Sequence, residues 1–302
     1  MNFTEDIKEC KPKLSAGSTK TYNSLLRTIY KNVYGDTKDP DVKQFADTEK
    51  VLAFVREKPY NVRKTYLAAL LCVVPDNKEY KDLMLEDINQ YNQVVSTSQL
   101  TDKLENSAIN TEEIEEIYTN LKNMATLLMK KKSHNVADLM QIQNYIILSL
   151  YYGHVVPRRS LDYVQCLFRN YDPKTQNYID LKRNLFVFNV FKTAKFKGTQ
   201  TLEIPPALKK ILVKWISLIP DGVDTLLFNT NLLPLSSITL NQRLNSIFGG
   251  KRAGINSLRH YYLTAKYKEV MKAHNQMAAD MNDMGSSTSQ ANVYVKINDK
   301  KK

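Results

Sequence analysis

The chain has 302 residues, enough for two domains that each bury a core, and its 43% apolar and 25% charged content is that of an ordinary globular protein. Its net charge of +12 and pI near 9.3 are not ordinary; they point to a polyanionic partner, nucleic acid ahead of an anionic membrane surface. Cys10, Cys72 and Cys166 are widely spaced and form no CxxC pair, which argues against a disulfide framework and a zinc site. No apolar leader follows Met1, and no run approaches the roughly 18 apolar residues of a membrane span. These features read as a soluble intracellular protein, in cytoplasm or nucleus, without membrane contact.

Residues 1–95 read as short helices. Ser18-Thr19 caps a pattern with Tyr22, Leu25, Leu26, Ile29, Tyr30 and Val33 on one face. Further helices are expected over 48–57, 61–74 and 78–94, with basic residues on their outer faces. Such a bundle is able to grip a duplex through its phosphates, and equally to be a helical domain with a solvated charged face. From 96 to 110 the chain turns polar and loses its period, as an interdomain linker does.

Acids at Glu112 and Glu113 start a helix that runs to about Lys131, near the Lys130-Lys131-Lys132 run. The stretch 136–152 is apolar on most sides and reads as the central helix of a second domain. Gly153 closes it, and Pro157-Arg158-Arg159-Ser160-Leu161-Asp162 follows. An arginine on a turn beside a helix end, tied by a nearby carboxylate, is a pre-organised clamp for a phosphodiester. Arg159 stands three before Asp162 and Arg158 four before it; a purely structural ion pair is the competing reading.

Between 178 and 204 the texture changes to strands, with an alternating Leu185–Phe191 run and a second strand at Thr201–Ile204 stopped by Pro205. Lys192, Lys195 and Lys197 lie between them. A helix over 206–219 carries Trp215, the sole tryptophan, as a core residue, and another helix is expected over 237–248.

The last stretch holds Asn256, Arg259 and His260, a polar helical run, Met284-Gly285-Ser286, and a late Tyr294 flanked by Val293 and Val295. Tyr294 follows Arg259 by 35 residues (294 − 259). A late tyrosine with apolar flanks is also an ordinary packing residue. The basic stretch Lys296–Lys302 is too plain to read as a targeting signal.

Taken in order, Arg159, Lys192-Thr193, Leu258-Arg259-His260, Met284-Gly285 and Tyr294 resemble the tyrosine recombinase (phage integrase) family, over residues 111–302. The resemblance implies a mainly α fold with a small antiparallel β-sheet: a helical DNA core-binding domain at 1–95 and an α+β catalytic domain at 111–302. It implies that Tyr294 is the nucleophile, forming a covalent 3′-phosphotyrosine, with Arg159 and Arg259 on the phosphate oxygens and Lys192 protonating the leaving 5′-oxygen. The phosphotyrosine conserves the bond energy, so no cofactor, metal or ATP is implied. The partners implied are double-stranded DNA and further copies of the chain, as a homo-tetramer on synapsed sites of a virus or mobile element. With no arm-binding module ahead of the helical domain, protection of core-type sites alone is expected.

Two positions depart from the family pattern. Asn256 occupies the usual histidine slot three before Arg259, and Ser286 the His or Trp slot after the Met-Gly turn. Each is able to hydrogen-bond a phosphate oxygen, and neither acts as a base at neutral pH. The alternatives are a type IB topoisomerase-like DNA-relaxing enzyme and a DNA-binding protein on the same scaffold that does not cut.

Overall fold

A computed structural model describes residues 1–96 and 108–294 of the chain. It divides into two units, residues 1–100 and residues 101–302. Most of the expected linker (97–107 of 96–110) and the basic stretch 296–302 lie outside the described residues. No helix among the described residues is long and apolar enough to cross a membrane.

The first unit is helical: α1 (Thr4–Cys10), α2 (Ala16–Tyr34), a 3₁₀ turn (Val42–Ala46), α3 (Thr48–Arg56), α4 (Tyr60–Leu70) and α5 (Lys78–Ser96). The cap of α2 is Ser15, whose Oγ accepts the Ser18 N–H at 3.2 Å, so the helix starts a turn earlier than a Ser18 cap predicts. The period of α2 still places Leu26, Ile29 and Tyr30 in the core. Helix α1 has too short a pattern to be read in advance; Phe3 and Ile7 bury it, with Phe3 packed on Tyr30 and Phe45 at 5.7 and 5.2 Å between centroids. Helix α4 stops at Leu70 rather than at Val74, because Pro75 disfavours helical backbone before it. The fully buried Asp87 of α5 is met by Arg63 of α4, whose Nε donates at 2.9 Å. That pair joins the two helices through the core.

The second unit is built on the apolar helix Val136–Tyr151. Helix α6 (Thr111–Leu128) is capped by Asn110, which accepts from Glu113 N–H at 2.7 Å. Helix α7 (Val136–Tyr151) opens with an Asn135/Asp138 capping box and is buried along most of its length, as its nearly uninterrupted apolar sequence requires. Its one deeply buried amide, Gln143, is satisfied by Phe228 at both ends: Nε2 donates to the carbonyl at 2.8 Å, and Oε1 accepts from the N–H at 2.9 Å. After α8 (Ser160–Val164) comes the sheet, β1 (Cys166–Leu167), β2 (Asn177–Asp180), β3 (Leu185–Phe188) and β4 (Gln200–Glu203), in that spatial order.

The expected antiparallel sheet is present as β2–β3–β4, and the two-residue β1 joins its edge in parallel. Strand β3 ends at Phe188 rather than at Phe191, because Asn177 takes the next backbone groups: its Oδ1 accepts Asn189 and Val190 N–H at 2.8 and 2.7 Å. The hairpin tip between β3 and β4 carries α9 (Ala194–Lys197) and turns back at Gly198, where φ is +64°. Helix α10 (Pro206–Ile216) buries Trp215, which donates from Nε1 to the Leu226 carbonyl at 2.9 Å and stacks on Phe228.

Helix α11 (Ser237–Ile247) leads to α12 (Ile255–Asp283), and α13 (Ala291–Tyr294) follows a 3₁₀ turn over Thr288–Gln290. A Cβ at Gly254, before α12, would stand 2.7 Å from Asn241 Oδ1 and displace the group that caps Ile255 N–H at 3.0 Å.

Candidate active site

The end of α7 and the start of α12 bring the basic side chains together. Beyond Tyr151 the chain turns at Gly153 (φ +79°) and runs to Arg158 and Arg159, the latter the residue before α8. Asp162, one turn into α8, is buried, and its partner is Arg158 rather than Arg159: Arg158 Nε donates to Oδ2 at 2.7 Å. The same guanidinium donates from Nη1 and Nη2 to Gln200 Oε1, each at 3.1 Å, and lies 4.0 Å over the Phe188 ring. Arg159 accepts the Asp162 N–H at its carbonyl at 3.1 Å, but its side chain is exposed and makes no hydrogen bond or ion pair among the described residues. The clamp that the sequence places on Arg159 is therefore divided: Arg158 holds the carboxylate, and Arg159 is free to meet an anion.

Arg259 is half-buried in the second turn of α12. Burial pushes the Asp162 carboxyl above the usual range, and the charges of Arg158, Arg159 and Arg259 act against that rise. Burial also pushes the Tyr151 hydroxyl well up, beside Tyr163 and Asp162, with Arg259 opposing. One arginine thus pairs with the carboxylate and two more act on it electrostatically, which leaves an excess of positive charge there. Tyr151 Oη, Tyr163 Oη and Asp162 Oδ1 are buried without a hydrogen-bond partner among the described residues.

Asn256 is exposed one turn before Arg259, on the same face of α12, while His260, the next residue, is rotated about 100° from Arg259 around the helix. Lys192 is exposed at the tip of the β3–β4 hairpin, directly after Phe191, and forms no hydrogen bond or ion pair among the described residues. The hairpin base is rigid: Asn177 Nδ2 donates to the carbonyls of Val190 at 2.8 Å and Asp162 at 3.1 Å, which fastens the hairpin to α8.

Ser286 and Tyr294 stand elsewhere. Helix α12 contains neither Gly nor Pro, and nothing interrupts it from Ile255 to Asp283. At about 1.5 Å per residue, Met281 is about 33 Å along the axis from Arg259. The helix then closes as expected at a Met-Gly turn: Gly285 takes φ +71°, and Ser286 N–H donates to the Met281 carbonyl at 2.8 Å. The Thr288–Gln290 turn packs back on this end of α12, and α13 packs on that turn. Tyr294 is 54% exposed there, away from the arginines of its own copy.

The chain is similar to solved recombinases. No family model matches it, and no curated protein does. A XerA recombinase structure aligns at 12% identity over 87% of this chain and 83% of that one, with a TM-score of 0.37. The XerH site-specific recombinase bound to difH substrate, in a pre-cleavage complex, aligns at 15% identity over 88% and 75%, with a TM-score of 0.49. The XerH post-cleavage complex on palindromic difH gives 14% identity over 88% and 74%, with a TM-score of 0.48. At these identities and scores the functional reading rests on the chain's own residues.

Four site residues were not legible beforehand in their actual roles. Arg158 has its second partner, Gln200, on a strand 42 positions away, and Asn177 and Asn189 form the hairpin base through tertiary contacts. No local period or spacing signals such pairings. The one signal that was present is the unbroken helix-forming run of α12, which carries Tyr294 outward.

Proposed function

We propose that this protein cleaves and rejoins double-stranded DNA as a site-specific tyrosine recombinase, through a covalent 3′-phosphotyrosine. The observation that carries the reading is buried Asp162, held by Arg158 and within electrostatic range of Arg159 and Arg259, beside the hairpin that presents Lys192. The Tyr294 oxygen, its proton released to water, attacks the scissile phosphorus, and the bond from phosphorus to the 5′-oxygen breaks. Arg159 and Arg259 neutralise the non-bridging oxygens as charge builds. Lys192 donates a proton to the departing 5′-oxygen. Asn256 adds a hydrogen bond to the phosphate, and Ser286 travels with the Tyr294 segment. A 5′-hydroxyl of another strand then attacks the phosphotyrosine and releases Tyr294. Residues 1–95 serve as the core-binding domain on the duplex.

Because α12 carries Tyr294 away from Arg259, the nucleophile comes from a second copy within a homo-tetramer on synapsed DNA. That geometry favours a recombinase over a topoisomerase acting as a monomer. The test is SDS quenching of wild type and Tyr294→Phe on DNA recovered from the source genome. A 3′-linked adduct in wild type and none in the variant is expected; tight binding with no adduct in wild type would leave a DNA-binding scaffold protein.

A further inference from the structure

Arg158 touches three pieces of the site with one planar group. Its Nε holds Asp162 Oδ2 at 2.7 Å on the Arg159 side. Its Nη1 and Nη2 both reach Gln200 Oε1 at 3.1 Å, on the first residue of β4. Its face lies 4.0 Å from the Phe188 ring at the end of β3 and 5.4 Å from the Phe191 ring, immediately before Lys192. The side chain is 17% exposed, so it is spent on these contacts and is not available to DNA in the way Arg159 is. Only a guanidinium is able to stack on a ring while donating in its plane to two acceptors; an ammonium makes point contacts and does not stack in this way.

We infer that Arg158 is a positioning residue for Lys192: it locks both ends of the β3–β4 hairpin to the Arg159 turn, so that the proton donor and the phosphate clamp move as one body. Asn177 fixes the hairpin backbone to α8, whereas Arg158 fixes the step from Phe191 to Lys192. The inference deepens the phosphotyrosine reading and rests on it. Its consequence is specific to one proton. Without Arg158 the phosphate is still bound and Tyr294 still attacks, but the 5′-oxygen departs without its acid.

The experiment uses full-length protein and a duplex selected from sheared source-genome DNA by covalent trapping on wild type. That duplex is then made with the ordinary 5′-oxygen and with sulfur in its place at the scissile phosphate. A thiol has a pKa of about 8.5, against about 15.7 for water, the nearest simple hydroxyl. The sulfur therefore leaves without an acid. Arg158→Lys is expected to slow adduct formation on the oxygen duplex by about 10²-fold, the lower range for loss of a general acid. It is expected to keep near wild-type rates on the sulfur duplex, with unchanged DNA affinity, and Lys192→Ala should show the same pattern. Gln200→Ala, which leaves the Asp162 pair in place, gives a smaller loss with the same rescue; Gln200→Glu keeps an acceptor and retains the rate.

Equal losses on both duplexes would overturn the inference and make Arg158 a structural or phosphate-binding residue. No adduct from wild type on either duplex would remove the phosphotyrosine reading itself, and this inference with it.

Discussion

Of the chain's net charge of +12, residues 1–100 contribute only +1, from 15 Lys and Arg against 14 Asp and Glu, and residues 101–302 contribute the remaining +11. Both units hold some cations in ion pairs, so the difference lies in the excess. In the first, Lys8, Lys31, Lys50 and Arg63 stand in ion pairs with Glu5, Asp36, Asp47 and Asp87. In the second, Arg159 and Lys192 are exposed without an ion-pair partner among the described residues, and Lys195 and Lys197 flank the 78%-exposed Phe196. The basic outer faces read from the first unit's helices are thus nearly balanced by acids. Attraction for a polyanion is concentrated in the second unit, and the first is left to contribute shape.

The largest separation of the two units is in stability. Arg63→Ala strands the Asp87 carboxylate in the core and is expected to cost about 3–5 kcal/mol, as for other buried pairs broken on one side. Denaturant titration should show the loss in the first unit, while Trp215 fluorescence, which reports only the second, shifts less. Next comes chemistry. Arg159→Ala or Arg259→Ala should lower the rate of adduct formation by about 10²–10³, the usual effect of removing one donor to a developing oxyanion. Lys43→Ala in the first unit should leave that rate unchanged.

Salt dependence is a smaller effect. Removing Lys195 and Lys197 as Gln should reduce the slope of log affinity against log salt by about 2, at about 0.9 per phosphate contact. Two exposed lysines of the first unit, Lys20 and Lys43, should give a smaller change in the same titration.

The smallest effect is on pH. All four histidines lie in residues 101–302. Burial, with Lys122 nearby, holds His154 below its usual value, and its Nε2 is 2.8 Å from Tyr118 Oη. Protonation is then easier in the unfolded chain. The stability His154 contributes is present above the unfolded pKa of about 6.5 and is lost as pH falls through the lower folded value. Thermal melts between neutral pH and pH 5 should show Trp215 unfolding earlier on acidification, and His154→Gln should weaken that dependence.

What was legible in the sequence is what local patterning encodes. The period of α2, the apolar run of α7, the Lys192 hairpin, buried Trp215 and the Gly285 turn all follow from spacing and backbone preference. Arg158 was visible as a residue but not in its role, because Gln200 is 42 positions away and only the fold brings them together. Tyr294 has the order and spacing that the recombinase resemblance implies for a nucleophile, yet its position follows from α12, which has no Gly or Pro at which to turn back. Spacing counts residues, and an unbroken helix converts that count into distance.

The most direct test of an active site shared between copies mixes two defective proteins, Arg259→Ala and Tyr294→Phe, on trapped source-genome DNA under SDS quench. Each alone should give little or no adduct. The mixture should restore it, with the DNA attached to the Arg259→Ala polypeptide, whose Tyr294 enters the intact arginine site of its neighbour. A mixture that stays inactive while wild type forms adducts would contradict the account and place Tyr294 at the arginines of its own chain.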